Sequence, residues 1–174
     1  MKKILVSIIT FFILFILQTS VFHHLAFNDV VPNLMLILVC SYGFLRGESE
    51  GIIAGFLCGL AVDLMFSGFL GFNSLIYMYL GFFNGCLNRL YIDDKVKLPI
   101  ICIGFSDLLF SLVTYGLKFL LKGHFNFLYY LTKIIIPEFI YTVFICIIVY
   151  PLIMIVENKI VNEPLVLKKE EDVF

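Results

Sequence analysis

Tryptophan is absent from this 174-residue chain, and charged side chains make up only 14% of it. An ordinary soluble domain carries about 25% charged and roughly 45–50% apolar residues. Here 61% are apolar, and the mean hydropathy is +1.05. A water-soluble fold of this size would have to leave much of that surplus facing water. That excludes the soluble class and makes a lipid bilayer the solvent that fits. No hydrophilic stretch is long enough to fold by itself, and the length suits one domain. With a net charge of −1, nothing points to nucleic acid as a partner.

Signatures of catalysis and metal binding are missing too. There is no H-E-x-x-H, P-loop or G-x-S-x-G. Gly104-Phe105-Ser106-Asp107 is not a nucleophile elbow, and no His is expected at membrane depth to act as a base for Ser106. Cys40, Cys58, Cys86, Cys102 and Cys146 are widely spaced, each in an apolar run, without a C-x-x-C pair or a Cys/His cluster. They read as small apolar packing residues. His23, His24 and His124 fall in expected loops, and an adjacent pair alone is a poor zinc signal. The expectation is a protein that is not an enzyme and needs no cofactor or metal.

What is present is a series of apolar stretches. A spanning helix needs about 20 mostly apolar residues. The sequence predicts an all-α polytopic membrane protein with transmembrane helices over residues 4–22, 32–45, 50–66, 71–90, 98–121 and 131–156. Residues 1–160 form one bundle in this reading, and residues 161–174 form a solvated cytoplasmic tail. The start Met1-Lys2-Lys3 imitates a signal peptide, but no small-x-small cleavage site follows, so the first stretch reads as an uncleaved anchor. The second stretch, of 14 residues, reaches only about 21 Å. It is expected to lie partly inside the bundle, with Pro32 at its first helical position and Asn28 or Asp29 as its cap. Pro137 and Pro151 fall within the sixth stretch and should kink it. Nine Lys and Arg lie on the side of the N-terminus and three on the other, which places both termini in the cytoplasm. Tyr91, Tyr129 and Tyr130 take the interfacial anchoring role that Trp would otherwise share.

Two patterns stand out inside the apolar stretches. Gly47, Gly51, Gly55, Gly59 and Asp63 recur every four residues. On a helix that spacing makes one i, i+4 ridge about 24 Å long. Without side chains the ridge becomes a groove in which another helix gains close van der Waals contact. Gly81 and Gly85 give the fourth stretch a shorter version. The groove serves either packing within the bundle or docking of a partner protein's helix. The second pattern is acidic: Asp63, Asp107 and Glu138 fall within expected spans. Charge there costs at least about 2.5–3.5 kcal/mol on insertion scales. Three readings compete for these acids. They are protonated and hydrogen-bonded to Asn73, Asn84, Ser106, Ser111 or Thr114; or they pair with a basic group from another subunit; or they bind a cation or polar solute. Asp107 and Glu138 could meet, although nothing resembles the motifs of intramembrane aspartyl proteases.

Pro32-Asn33-Leu34, then Gly43, Leu45 and Gly47, the Gly51/Gly55/Gly59 ridge with Leu60 and Asp63, and finally Ser67-Gly68 and Leu70-Gly71 resemble the bacterial rod-shape-determining MreD family. Size and span count agree with it over nearly the whole chain. The resemblance implies a multi-pass protein of the bacterial plasma membrane that supports lateral peptidoglycan synthesis. It also implies a fold similar to the substrate-binding subunits of energy-coupling-factor vitamin transporters. The implied partners are the single-span protein MreC, the actin-like MreB, and the wall polymerase and transpeptidase. The expected role is a non-catalytic scaffold, with Gly51, Gly55 and Gly59 giving close approach and Asp63 a polar anchor. The alternative is a small-solute binding subunit using Asp107, Glu138 and Asn73 around a cavity.

Overall fold

The computed structural model describes residues 2–21, 31–66, 70–88, 97–122 and 131–160. The expected loop and anchor residues His23, His24, Asn28, Asp29, Tyr91, His124, Tyr129 and Tyr130, the Ser67-Gly68 pair and the tail 161–174 lie outside the described residues. Helix α1 is Lys2–Ile16 and continues as a π-helical turn, Leu17–Val21. Then come α2, Leu34–Arg46; α3, Glu48–Phe66; α4, Phe72–Asn88; α5, Lys97–Lys122; and α6, Ile136–Ile160, entered through a second π-helical turn, Leu131–Ile135. No strand occurs among the described residues.

Helix α2 is the hub. Its sequence, LMLILVCSYGFLR, is apolar on every side, and a helix hydrophobic all round belongs in a core. Every residue from Leu34 to Leu45 is buried. Helices α3 and α4 pack closely against each other and against α2. Helices α5 and α6 pair and touch α2 from another side, and α1 lies against α2 and α6.

The surrounding helices turn apolar side chains outward. Ile4, Ile8 and Phe12 on α1, Ile53 and Leu64 on α3, Ile101 and Phe105 on α5, and Ile140 and Phe144 on α6 are all exposed. Apolar surface of this extent marks a lipid-facing exterior. Three segments are long and apolar enough to cross a membrane: Lys3–Ser20, Lys97–Leu117 and Leu131–Lys159, with mean hydropathies of 2.0, 1.8 and 2.7. The last has 29 residues and would extend about 43 Å, more than the roughly 30 Å hydrocarbon layer. It therefore tilts or emerges. At 13 residues α2 is too short to match these, and its enclosure by the other helices removes the need.

The start of α2 differs from expectation. Its cap is Asn33, and Pro32 stands before the cap rather than at the first helical position. Asn33 Oδ1 accepts from the Leu36 N–H at 3.2 Å and from the Tyr77 hydroxyl at 2.8 Å. The Asn33 N–H donates to Thr142 Oγ1 at 3.3 Å, and the Met35 N–H donates to Gln18 Oε1 at 3.0 Å. Side chains from α6 and the π-helical end of α1 thus accept from N–H groups that have no helical acceptor, and Tyr77 of α4 donates to the Asn33 cap itself. Pro137 lies within the sixth spanning segment, as expected, at the junction where the π-helical turn passes into α6. A missing N–H is tolerated in a first turn, whereas Pro151 is interior to the helix.

Replacing Asn33 with Ala strands two buried donors, Leu36 N–H and Tyr77 O–H. The expected loss is about 1–3 kcal/mol, read as a lower thermal midpoint of the protein purified in detergent. Tyr77→Phe should cost less, because it removes a donor and leaves Asn33 Oδ1 still bonded.

Candidate functional site

The glycines of α3 face α4 of the same chain. The two helices run antiparallel in constant register, with Glu48 opposite Gly85, Gly51 opposite Gly81, Gly55 opposite Tyr77 and Gly59 opposite Ser74. A Cβ at Gly51, Gly55 or Gly59 would strike the backbone of Gly81, Tyr77 or Ser74, and one at Gly81 would strike the carbonyl of Gly51. At Gly85 it would fall 2.5 Å from Glu48 Cα. Gly43 of α2 joins the seam, since a Cβ there would lie 2.5 Å from Gly81 O. Backbones of α2, α3 and α4 therefore meet around Gly43, Gly51 and Gly81. Of the two uses that the spacing allows, packing inside the bundle is the one seen, and α4 fills the groove. A partner's helix cannot occupy it while α4 is there.

Gly47 departs from the expected ridge. It is the single non-helical residue between α2 and α3, at φ 98°. Nothing lies within 4 Å of where its own Cβ would be, although its backbone carbon borders Gly85, 2.9 Å from where a Cβ there would sit. Its role is the corner, because a one-residue reversal needs a left-handed backbone that glycine adopts at little cost.

The ridge ends at Asp63, which caps α4 from a neighbouring helix. Its carboxyl accepts from the N–H groups of Gly71 (2.9 Å), Asn73 (3.1 Å) and Ser74 (3.1 Å). It also accepts from Asn73 Nδ2 at 2.9 Å and Ser74 Oγ at 3.0 Å. Four of these five donors are N–H groups that cannot accept, so the site is built for a carboxylate. The helix N-terminus adds its favourable dipole. Asn73 is thus engaged with Asp63; the sequence reading that named Asn73 as a partner had the acid protonated, whereas these donors suit its ionised form.

A second polar cluster lies between α2, α4 and α5. Asn84 Nδ2 reaches Ser106 Oγ at 2.8 Å, Leu80 O at 2.9 Å and Cys40 Sγ at 3.3 Å, and Ser106 Oγ donates to Cys102 O at 2.8 Å. Next to Ser106, Asp107 is wholly buried. Neither of its carboxyl oxygens has a hydrogen-bond partner among the described residues. Thr142 lies beside it, outside hydrogen-bonding geometry, and Glu138 is within electrostatic range.

The opposite end of the bundle holds an ion pair that sequence reasoning missed. Arg46 Nε meets Glu157 Oε2 at 3.1 Å and Nη2 meets Oε1 at 2.5 Å. The same guanidinium donates to Ser7 Oγ at 2.6 Å, lies 3.5 Å from Glu50 and covers the Tyr42 ring at 4.2 Å. It ties α1, α2, α3 and α6 together. Sequence analysis had counted Arg46 only among the cytoplasmic charges. The Tyr42, Arg46, Glu50 spacing of four was a legible signal, whereas Glu157 lies 111 residues away. On the outer side of the α3–α4 pair, Ile52, Phe56, Ser74, Leu75, Met78 and Phe82 line an open groove of about 440 Å³.

Among known families, the model for the rod shape-determining protein MreD matches residues 1–160. No curated protein and no solved structure matches the chain.

Gly55→Ala forces a Cβ into the α4 backbone, which no rotamer change relieves. The expected destabilisation is about 1–3 kcal/mol. Gly116→Ala, with nothing within 4 Å, should be neutral or stabilise by up to about 1 kcal/mol through helix propensity. Thermal midpoints in detergent compare the two. Glu157→Ala leaves the half-buried guanidinium with only Glu50 at 3.5 Å and Ser7 as polar partners and should cost about 1–3 kcal/mol, and replacing Arg46 and Glu157 together by Leu should recover most of that loss.

Proposed function

The chain belongs to the MreD family of rod shape-determining proteins, and from that premise we propose that it is a non-catalytic plasma-membrane scaffold of the cell-elongation machinery. In this reading it seats the transmembrane helix of an MreC-like single-span protein. It thereby helps hold an MreB-like filament, a wall polymerase and a transpeptidase together for lateral peptidoglycan synthesis. All six helices cross or fill the bilayer, with both termini in the cytoplasm. The nine-to-three distribution of Lys and Arg supports that orientation. So does the meeting of Ser7, Arg46, Glu50 and Glu157 at one end of the bundle.

The observation that carries the scaffold reading is the α3–α4 unit. Gly51, Gly55, Gly59, Gly81 and Gly85 bring two backbones together so closely that the large side chains splay outward. Asp63 locks the far end. The product is a stiff two-helix face with an apolar groove, lined by Phe56, Leu75, Met78 and Phe82, open to the lipid. The seam glycines and Asp63 thus support docking by building the face, and the groove takes the partner's helix.

The alternative, a small-solute binding subunit like those of energy-coupling-factor transporters, requires Asn73 to join Asp107 and Glu138 around a cavity. The engagement of Asn73 with Asp63 at 2.9 Å weighs against it.

Leu75→Trp tests the groove without touching the seam, because Leu75 is exposed. In a rod-shaped host depleted of its own copy, wild type should restore rods. The variant should fold with an unchanged midpoint, leave cells round and swollen, and retain at least about tenfold less of the MreC-like partner on co-purification, equivalent to about 1.4 kcal/mol. Full partner retention would remove the groove as the seat. A nutrient requirement with normal shape on depletion would favour the solute-binding alternative.

A further inference from the structure

One face of α5 changes character at Asp107. On a helix, residues four and seven positions apart share a face. Toward Lys97 the residues so placed are Ile103 and Ile100, which belong to the apolar core and its border. Toward Leu117 they are Ser111 and Thr114. The row from Asp107 to Thr114 is about 10 Å long. Exposure rises along it: Asp107 has none, Ser111 has 8%, and Thr114 is partly exposed.

The same row concentrates unmet hydrogen-bonding atoms. Asp107 Oδ1, Asp107 Oδ2 and Thr114 Oγ1 have no partner among the described residues. Asn84 Oδ1 has none either, and Asn84 Nδ2 holds Ser106, the residue before Asp107, at 2.8 Å. Buried polar atoms without partners are costly, and hydrocarbon offers them nothing. The facing wall adds to the demand. The π-helical turn Leu131–Ile135 packs against α5, and Pro137 has no N–H to give a carbonyl one turn before it. Helices α5 and α6 also pack less closely than α3 and α4, so room remains between them that the glycine seam does not leave.

Water meets such a demand, because each molecule both donates and accepts and settles where several polar atoms lack partners. We propose that the contact between α5 and α6 is a blind hydrated cleft. Water enters at the Thr114 end, is held by the hydroxyls of Thr114 and Ser111, and stops at Asp107. There it supplies the donors that the Asp107 carboxyl lacks, and Ile103 and Ile100 close the path beyond. Asp107 thus communicates with solution at one end of the bundle only. The cleft stands independently of the partner groove, which lies on the outer side of the α3–α4 pair.

Charged methanethiosulfonate reagents couple to cysteine thiolates, which form where water reaches. The test uses Thr114→Cys, Ser111→Cys, Leu112→Cys and Ile103→Cys, each in the full-length protein in lipid vesicles with reagent on both faces. Mass spectrometry reads modification residue by residue, so the native cysteines stay in place. Thr114→Cys and Ser111→Cys should react at least about tenfold faster than the exposed, lipid-facing Leu112→Cys, with Thr114→Cys the faster of the two and Ile103→Cys unmodified. Water-edited solid-state NMR of the unsubstituted protein reads the same order even if a variant misfolds. Thr114, Ser111 and Asp107 should gain magnetisation from water before Ile100 and Ile103. Equal rates at Thr114→Cys, Ser111→Cys and Leu112→Cys would overturn the cleft. So would transfer from water to Asp107 no faster than to Ile103. Modification of Ile103→Cys as fast as Thr114→Cys would overturn its closed end.

Discussion

A helix that begins inside a bundle, away from water, brings N–H groups with no partner, and hydrocarbon offers none. The architecture of this chain answers that constraint twice. At the start of α2, Asn33 caps its own helix, Gln18 and Thr142 reach in from two neighbouring helices to accept from backbone N–H groups, and Tyr77 from a third donates to the Asn33 side chain. At the start of α4, the Asp63 carboxyl takes three backbone N–H groups at once. Because the acceptors belong to neighbouring helices, satisfying these termini also fixes which helices are neighbours. Secondary structure and tertiary arrangement are therefore set by the same few bonds.

Between the two capped ends, different forces act on different halves. The α2–α3–α4 half is held by backbone-to-backbone contact, in which dispersion accumulates over many atoms. Side chains contribute there mainly by being absent. The half built from α5 and α6 relies on larger residues and on polar groups, among them Ser106, Thr142 and the unsatisfied Asp107. Arg46 and Glu157 then bind the two halves at one end.

The membrane class was legible in composition alone, because no soluble packing absorbs so much apolar surface. The glycine seam was legible too, since a repeat of four maps onto one helix face whatever surrounds it. Which helix would fill the seam was not, because Gly81 reveals itself as the partner of Gly51 only in three dimensions. Gly47 kept the spacing and broke the helix, as the identity of a residue does not fix its φ. The cap at Asn33 lay inside a motif that could be quoted, although Asn28 and Asp29 were equally good candidates by residue type. Arg46 was read by its charge and loop position, so its engagement with Glu157 went unseen. Asp107 was singled out as costly inside a span, but its complete enclosure was not legible, because register between α5 and α6 is not written in either segment.

The corner at Gly47 has a mechanical meaning. A link of one residue holds no slack, so α2 and α3 behave as the two arms of a bent rod. Any tilt of the outer arm within the lipid is carried to the inner one, and from there through Arg46 to α1 and α6. Strain applied at the periphery of the bundle thus arrives at its centre undiluted.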